Sequence, residues 1–422
     1  MPPRPAASAR KVALAMLDAT LASGQGGGSR DQRAAADFGA LEPRDRGFAR
    51  ALYGLTLRHL GEIDAGLAPY LRRKPPLPLL NVLRVGVCQI RLLRTPAHAA
   101  VGETVALAPP GGRGLVNAVL RRLATAEPAD LDPVALNTPS WLRARWERTY
   151  GGGTARAVMA AHLLEPPLDL SVKADHALWA ERLGGRLLPN GTVRLEGGGA
   201  VEALPGFEEG AWWVQDVAAS LPARILGDVR GRRVLDLCAA PGGKTAQLAA
   251  AGAAVTAVER DPARLALLRA NLARVGLDAE TAAADALAYE PAEPFPFVLL
   301  DAPCTATGTV RRHPDIPWTR RPDDVGRIAA RQGPLLDAAL RLLAPGGVLA
   351  YAVCSLEPEE GELQIEAALG RHPGLRRCPI GRNDLGGLPL TPTAGGDLRT
   401  LPCDMADEGG MDGFFVARLG ID

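Results

Sequence analysis

The chain has 422 residues, of which 47% are hydrophobic and 23% are charged, a balance typical of globular proteins with two or three domains. No run of about 18 apolar residues occurs, and the six cysteines are scattered without a CxxC pair, so we predict no membrane span, disulfide framework or metal site. The formal net charge of +1 does not by itself indicate a nucleic-acid-binding protein, and a reducing cytoplasm is the expected setting.

Residues 1–135 are predicted to form a helical bundle. Apolar residues recur at helical spacing, as in Leu115, Val116, Val119 and Leu120, and Gly and Pro separate one run from the next. No alternation of polar and apolar residues indicates a strand here.

Residues 136–225 are predicted to form a small α+β domain similar to an RNA-recognition motif. Five of the six tryptophans lie in this part of the chain. Short strand-like pieces, LDLSVKA, TVRLEG and AWWVQD, are separated by turns rich in Gly and Pro.

From residue 226 to 422, strands alternate with helices. Strands are predicted at 234–237, 254–259, 281–285 and 297–301, a long helix at 325–343, and a fifth strand in GGVLAYAVCS. This alternation predicts an α/β, Rossmann-like parallel sheet, with MDGFFVARL as a final edge strand.

The segment LDLCAAPGGKT follows the first of these strands, where open parallel sheets bind ligands. A phosphate-binding P-loop would need Gly at the position of Cys238, and the GxGxxG fingerprint of dinucleotide sites is absent. A plain tight turn is the alternative interpretation. Acids at successive strand ends favour S-adenosylmethionine, whose ribose and amino groups need hydrogen-bond acceptors. The predicted cofactor-binding residues are Cys238, Ala239, Ala240, Pro241, Gly242, Gly243, Lys244, Glu259, Arg264, Asp285 and Asp301.

Two cysteines of this domain, Cys304 in LLDAPCTATGT and Cys354 in AYAVCS, also follow strands at the ligand edge. A single cysteine near a strand is most often a small apolar core residue. Two at the same edge favour a reactive thiol, since a thiolate can attack an electrophilic ring carbon.

The motifs LDLCAAPGGKT, LLDAPCTATG, RRHPDIPW and YAVCS resemble those of RNA cytosine-5 methyltransferases. RRHPDIPW most resembles the Sun-type branch, the bacterial small-subunit ribosomal RNA methyltransferases B. PAHAAVGETVALA and GRGLVNAVLRRL resemble the NusB-like helical domain of that branch, and LPGFEEGAWWVQDVAAS resembles its middle region. The resemblance covers nearly the whole chain.

The resemblance implies that the chain methylates carbon 5 of a cytosine in 16S ribosomal RNA. Cys354 would attack carbon 6 and Cys304 would assist release, while exchange of these two roles, as in DNA methyltransferases, is the main rival. Asp301 would bind the cytosine edge, and Lys244 would pair with Asp301 or the cofactor. Arg264 would orient the ribose-binding acid Glu259.

The chain departs from the family pattern at a few positions. Val353 stands where the family has Thr before the nucleophile, and Thr305 replaces a common Ser. Ser171 and Lys173 occupy a middle-domain strand that usually carries Arg and Asn, which leaves the RNA contacts of that strand open.

Four arginines flank HPDIPW and are predicted to bind RNA phosphates: Arg311, Arg312, Arg320 and Arg321. A loop that packs Trp318 and leaves these arginines in water is the alternative. Residues 1–150 carry a net charge of +9 and the remainder −8, so the basic front domain is a second candidate RNA-docking surface.

A transfer RNA methyltransferase and a non-catalytic NusB-like RNA-binding factor are the alternative functions. The basic front domain and RRHPDIPW argue against the first, and the intact Lys244, Asp301, Cys304 and Cys354 argue against the second. We expect a monomer.

Overall fold

A computed structural model describes residues 8–22, 37–128, 130–197 and 199–421. Two compact units are present. The first comprises the residues up to Leu164 together with His313–Arg320, and the second comprises Glu165–Arg312 and the residues from Arg321 onward.

The first unit is helical, as predicted. Periodic leucines and valines place one face of each helix in a shared core, in which Leu17, Leu52, Leu83 and Leu120 are fully buried. Its described helices are α1 Ala9–Ala22, α2 Pro43–Arg58, α3 Leu60–Leu67, α4 Leu77–Val87, α5 Ala97–Leu107, α6 Arg113–Thr125, α7 Pro133–Leu136, α8 Ser140–Tyr150 and α9 Gly152–Ala161.

The segment His313–Arg320 belongs to this helical unit although it lies far along the chain. A short helix, Ile316–Thr319, presents Trp318 to the helical core. The indole Nε1 of Trp318 donates to the carbonyl oxygen of Leu57 at 2.8 Å. The tryptophan of RRHPDIPW is therefore a packing residue.

The second unit begins with a four-stranded antiparallel sheet in the order β2-β3-β1-β4. Its core includes Leu170, Val193 and Trp212. The strands are β1 Leu168–Val172, β2 Arg186–Leu187, β3 Val193–Leu195 and β4 Trp212–Val214, and the helix α10 His176–Arg182 accompanies them. The helix α11 Leu221–Ile225 follows and packs against the main sheet.

The main sheet of this unit has the order β10-β12-β9-β8-β5-β6-β7, and β11 pairs with β12. The five strands from β7 to β9 are parallel, which confirms the predicted Rossmann-like sheet. The strands are β5 Arg233–Leu237, β6 Ala254–Val258, β7 Glu280–Ala282, β8 Phe295–Asp301, β9 Leu343–Val353, β10 Leu375–Arg377, β11 Leu398–Arg399 and β12 Phe415–Ile421. The helices are α12 Gly243–Ala250, α13 Pro262–Val275, α14 Pro322–Arg341 and α15 Glu362–Arg371.

The prediction that MDGFFVARL forms an edge strand was wrong. Strand β12 lies between β9 and β10 and pairs antiparallel with both. The reason is that a further strand, β10, which the sequence analysis did not predict, pairs with its other side. Phe415, Val416, Ala417 and Leu419 of β12 are all fully buried.

The predicted domain boundaries after residues 135 and 225 stay predictions. Helices α8 and α9 follow the first boundary and belong to the helical unit, so the structure groups residues 140–161 with the bundle. None of the helices in the described ranges is both long enough and apolar enough to span a bilayer.

Candidate active site

The strand order reverses around β5, because β6 pairs with one side of it and β8 with the other. Crevices of this kind, at the carboxyl ends of the strands, are where Rossmann-like sheets bind ligands. The predicted site residues that follow β5, β6, β8 and β9 therefore lie at one edge.

The loop after β5 turns sharply into α12. Cys238 and Gly242 have φ angles of 59° and 102°, and a Cβ atom at Gly242 would approach Leu268 to 3.0 Å. Helix α13 holds the loop from behind, since Arg264 donates to the carbonyl oxygen of Ala240 at 2.6 Å and Asn271 donates to that of Pro241 at 2.8 Å. The turn contains two consecutive glycines, Gly242 and Gly243, so its backbone carries no side chains there.

Glu259 follows β6 directly and is only 3% exposed. Its Oε1 accepts from the amide of Asp261 at 3.0 Å, and its buried Oε2 accepts no hydrogen bond from the described residues. Arg264 Nη1 lies 3.4 Å from that second oxygen. Asp285 is exposed three residues past β7 and accepts from the amide of Leu287. Of the two acids, Glu259 is the one whose unused acceptor is buried.

Asp301 is the last residue of β8, and its Oδ2 accepts from Lys244 Nζ at 2.7 Å. Lys244 belongs to the first turn of α12 and is 12% exposed. Although burial disfavours its charge, Asp301 holds the pKa of Lys244 above the ordinary value.

A third charged group, Asp236, lies within β5 next to this pair and was missed by the sequence analysis. It is 1% exposed, and Thr245 Oγ1 donates to its Oδ2 at 2.6 Å. Burial, reinforced by the negative charge of Asp301, raises the pKa of Asp236 to about 7. The sequence analysis interpreted VLDL as a buried apolar strand and therefore did not single out Asp236.

The two cysteines are in contact at the edge of the sheet where the sequence analysis places both of them. Their Sγ atoms lie 3.4 Å apart, at the ends of β8 and β9. The hydrogen bond to Cys354 and burial together raise the pKa of Cys304 well above its ordinary value. Either thiol can donate the hydrogen bond that joins the two sulfur atoms, and the raised pKa favours the protonated form of Cys304.

A buried carboxylate, Glu360, lies behind both cysteines, and the sequence analysis missed it as well. It accepts hydrogen bonds from the residues that follow each cysteine, Thr305 and Ser355. The run EPEEGE after β9 contains four glutamates, and an acidic run usually indicates a solvated loop.

The structure corrects the expectation that Arg311 binds phosphate. Arg311 is 1% exposed and donates to the carbonyl oxygen of Gly409 at 2.7 Å. Arg312 is directed at Asp216 and Asp412, with N–O distances of 2.5 and 3.2 Å. Buried acids therefore face both guanidinium groups, and Arg311 is not accessible to a phosphate, whereas the Arg312 side chain is 21% exposed and its contact with phosphate stays a prediction.

The other two predicted phosphate-binding arginines are placed differently. Arg320 is half-buried in the helical unit, and Arg321 is exposed at the start of α14. Arg321 therefore remains the accessible member of the predicted group.

A family model described as 16S rRNA methyltransferase RsmB/F matches residues 223–420, and a NusB family model matches residues 7–125. The ribosomal RNA small subunit methyltransferase B of Pseudomonas putida is 40% identical over 97% of this chain and 98% of its own length. The protein of the same name from Pseudomonas syringae pv. tomato is 40% identical over 90% of each chain. A crystal structure of PH0851 shares the fold, with a TM-score of 0.78, 23% identity and coverage of 97% of this chain and 98% of that one.

The chain belongs to the RsmB family of methyltransferases, and it is an S-adenosylmethionine-dependent RNA methyltransferase with an N-terminal NusB domain.

Proposed function

We propose that the chain methylates carbon 5 of a cytosine in 16S ribosomal RNA through a covalent bond between Cys354 and carbon 6. The observation that carries this proposal is the pair of thiols, 3.4 Å apart at the ligand edge of the sheet. The relatives named ribosomal RNA small subunit methyltransferase B support the choice of RNA.

The covalent step is required because carbon 5 of cytosine is too weak a nucleophile to take the methyl group directly. The thiolate of Cys354 adds to carbon 6, and the electrons of the 5,6 double bond make carbon 5 enamine-like. Carbon 5 then takes the methyl group that S-adenosylmethionine supplies from its sulfonium. Water takes the proton from carbon 5, which restores the double bond and expels the thiolate of Cys354.

In this proposal Cys304 assists the release step. Its raised pKa keeps the thiol protonated beside Cys354, so that it stabilises the thiolate before attack and after expulsion. The reverse assignment would require Cys304 to attack as a thiolate, and its hydrogen bond to Cys354 and its burial disfavour the loss of its proton.

Asp301 is proposed to accept a hydrogen bond from the cytosine edge and to support the adduct. It is well placed because it is the last residue of β8, three residues before Cys304. Lys244 holds its carboxylate from one side at 2.7 Å. A partly buried, preorganised pair of this kind needs little reorganisation during the reaction.

The residues at this edge fit S-adenosylmethionine. Glu259 has a buried oxygen without a hydrogen-bond donor among the described residues, which suits a ribose hydroxyl. Gly242 and Gly243 give the backbone close access, and the first amides of α12 follow directly. Arg264 fixes Glu259 from the outside, and Asp285 is the more exposed candidate acceptor.

Two cysteine variants test the chemistry. With 16S ribosomal RNA and methyl donor, Cys304→Ala should accumulate a covalent RNA–protein adduct that resists denaturing gel electrophoresis. Cys354→Ala should give neither adduct nor 5-methylcytosine. An adduct that persists in Cys354→Ala and is absent in Cys304→Ala would reverse the assignment.

The substrate is tested by mapping 5-methylcytosine in ribosomal RNA from cells with and without the gene. We expect a cytosine of the small-subunit RNA to lose its methyl group. An unchanged 16S RNA together with an altered transfer RNA would instead favour the transfer RNA alternative.

A further inference from the structure

The two cysteine loops converge on one buried carboxylate. Glu360 Oε1 accepts from the amide of Thr305 at 2.9 Å, and its Oε2 accepts from the Thr305 hydroxyl at 2.5 Å and from the Ser355 hydroxyl. Thr305 follows Cys304 and Ser355 follows Cys354. One side chain is thus bonded to the immediate neighbour of each thiol.

Glu360 is itself held rigidly. The hydroxyl of Tyr351, on β9, donates to its carbonyl oxygen at 2.6 Å, and Gln332, on α14, lies 3.4 Å from its Oε1. Thr305, Ser355 and Glu360 are all 0% exposed. Buried polar groups that satisfy one another in this way have few alternative arrangements.

We propose that Glu360 is a positioning residue that ties the Cys304 loop to the Cys354 loop and sets the separation of the two thiols. The proposal rests on the function proposed above for the two cysteines. Its physical basis is that removal of the carboxylate takes away the acceptor of the Thr305 amide and the acceptor shared by the Thr305 and Ser355 hydroxyls, so that the loops rearrange to satisfy these buried donors.

Other contacts also join the two loops, and the hydroxyls of Thr305 and Ser355 are themselves 3.2 Å apart. The amide of Gly308 donates to the carbonyl oxygen of Cys354 at 3.0 Å, and the hydroxyls of Thr307 and Ser355 are 3.3 Å apart. Gly308 lies four residues after Cys304. These contacts also hold the loops adjacent, and Glu360 differs from them because one carboxylate accepts hydrogen bonds from both loops.

The first measurement is the separation of the thiols, read without RNA. Phenylarsine oxide condenses with two neighbouring thiols, forming two As–S bonds and releasing water, and intact-protein mass spectrometry counts the adduct. The wild type should bind one arsenical that is lost in Cys304→Ala and in Cys354→Ala. Glu360→Ala should lose this adduct, and Glu360→Gln, which keeps the shape and one acceptor, should retain it.

The second measurement is steady-state methylation. Because misplacement of a reacting group by about 1 Å can reduce the rate by about a hundredfold, Glu360→Ala should lower kcat by about that factor with KM for RNA nearly unchanged. Glu360→Gln should recover most of kcat. Glu366→Ala, which removes an exposed glutamate of α15, is the matched control and should behave as the wild type.

A variant with a smaller perturbation covers the case in which Glu360→Ala does not fold. Ser355→Ala deletes one arm of the carboxylate network, and it should slow arsenical capture and lower kcat to a smaller extent. Wild-type capture and wild-type kcat in folded Glu360→Ala, or in Ser355→Ala, would overturn the inference.

The two proposals fail separately. If the wild type captures the arsenical and Glu360→Ala does not, yet no 5-methylcytosine forms, the positioning role stands and the proposed reaction is wrong. If 5-methylcytosine forms equally in the wild type and Glu360→Ala, the positioning role is wrong and the reaction stands.

Discussion

Asp236 should make the folded protein progressively less stable as the pH rises, and Asp236→Asn should remove that dependence. The carboxyl is 1% exposed, and its Oδ1 has no hydrogen-bond partner among the described residues. Burial raises its pKa from 3.8 to about 7, in spite of the hydrogen bond from Thr245. The group is therefore protonated in the folded protein at pH values where the unfolded chain has lost the proton.

The sign and size of the effect follow from proton linkage. Between about pH 4 and pH 7 the folded chain holds one proton more than the unfolded chain, so the free energy of unfolding falls by about 1.4 kcal/mol per pH unit. Over that window the loss is about 4 kcal/mol, and above pH 7 the contribution is constant. Asparagine does not titrate, so the stability of Asp236→Asn relative to the wild type should rise by about 4 kcal/mol from pH 4 to pH 8.

Thermal unfolding at several pH values between 4 and 8 measures this difference. For a unit of this size the relative melting temperature of Asp236→Asn should rise by about 8–16 °C across the range. Asp278→Asn, at an exposed position in the same unit, is the control and should follow the wild type. Parallel curves for Asp236→Asn and the wild type would refute the reasoning, because they would mean that this carboxyl has the same pKa in both states.

Three further predictions follow. Arg194→Met should lower the free energy of unfolding by about 3–5 kcal/mol, because it leaves the buried carboxylate of Asp169 without its guanidinium partner. In urea titrations the double variant Arg194→Met/Asp169→Leu should recover part of that free energy. Equal stability of the single and double variants would contradict this. Lys244→Met should lower kcat/KM by about ten- to a hundredfold, because Asp301 loses a charged hydrogen bond worth about 1.5–3 kcal/mol, and wild-type kinetics would contradict that role. Changing the exposed basic residues 72–74 to Glu should weaken RNA binding and flatten its salt dependence in filter-binding assays, whereas an unchanged salt slope would exclude this surface.

Local patterns were sufficient to predict the parallel sheet and the edge that holds the site. Each buried strand is a short apolar run, and a residue that follows such a run lies at the carboxyl edge whatever the rest of the fold does. These patterns place Lys244, Asp301, Cys304 and Cys354 at one edge of the predicted sheet. In the structure Lys244 contacts Asp301, and Cys304 contacts Cys354.

Residues whose partners are distant in sequence could not be predicted in this way. Glu360 lies 55 residues from Thr305, and only the pairing of β8 with β9 brings them together. Strand β12 was mistaken for an edge because nothing in a single strand's sequence says whether a further strand pairs with its other side. Both errors concern long-range pairing, which local periodicity does not contain.

The same limit explains why the net charge was difficult to interpret. An arginine in a sequence has the same charge whether it faces water or an internal carboxylate, so RRHPDIPW resembled a phosphate-binding loop. In the fold, Arg311 and Arg312 face Asp216 and Asp412. Part of the negative charge of residues 151–422 is therefore neutralised within these internal ion pairs. Only charge without an internal partner attracts RNA over a distance. The exposed basic run at 72–74 in the NusB domain is therefore a better candidate for phosphate contact than the arginine pair beside the active site.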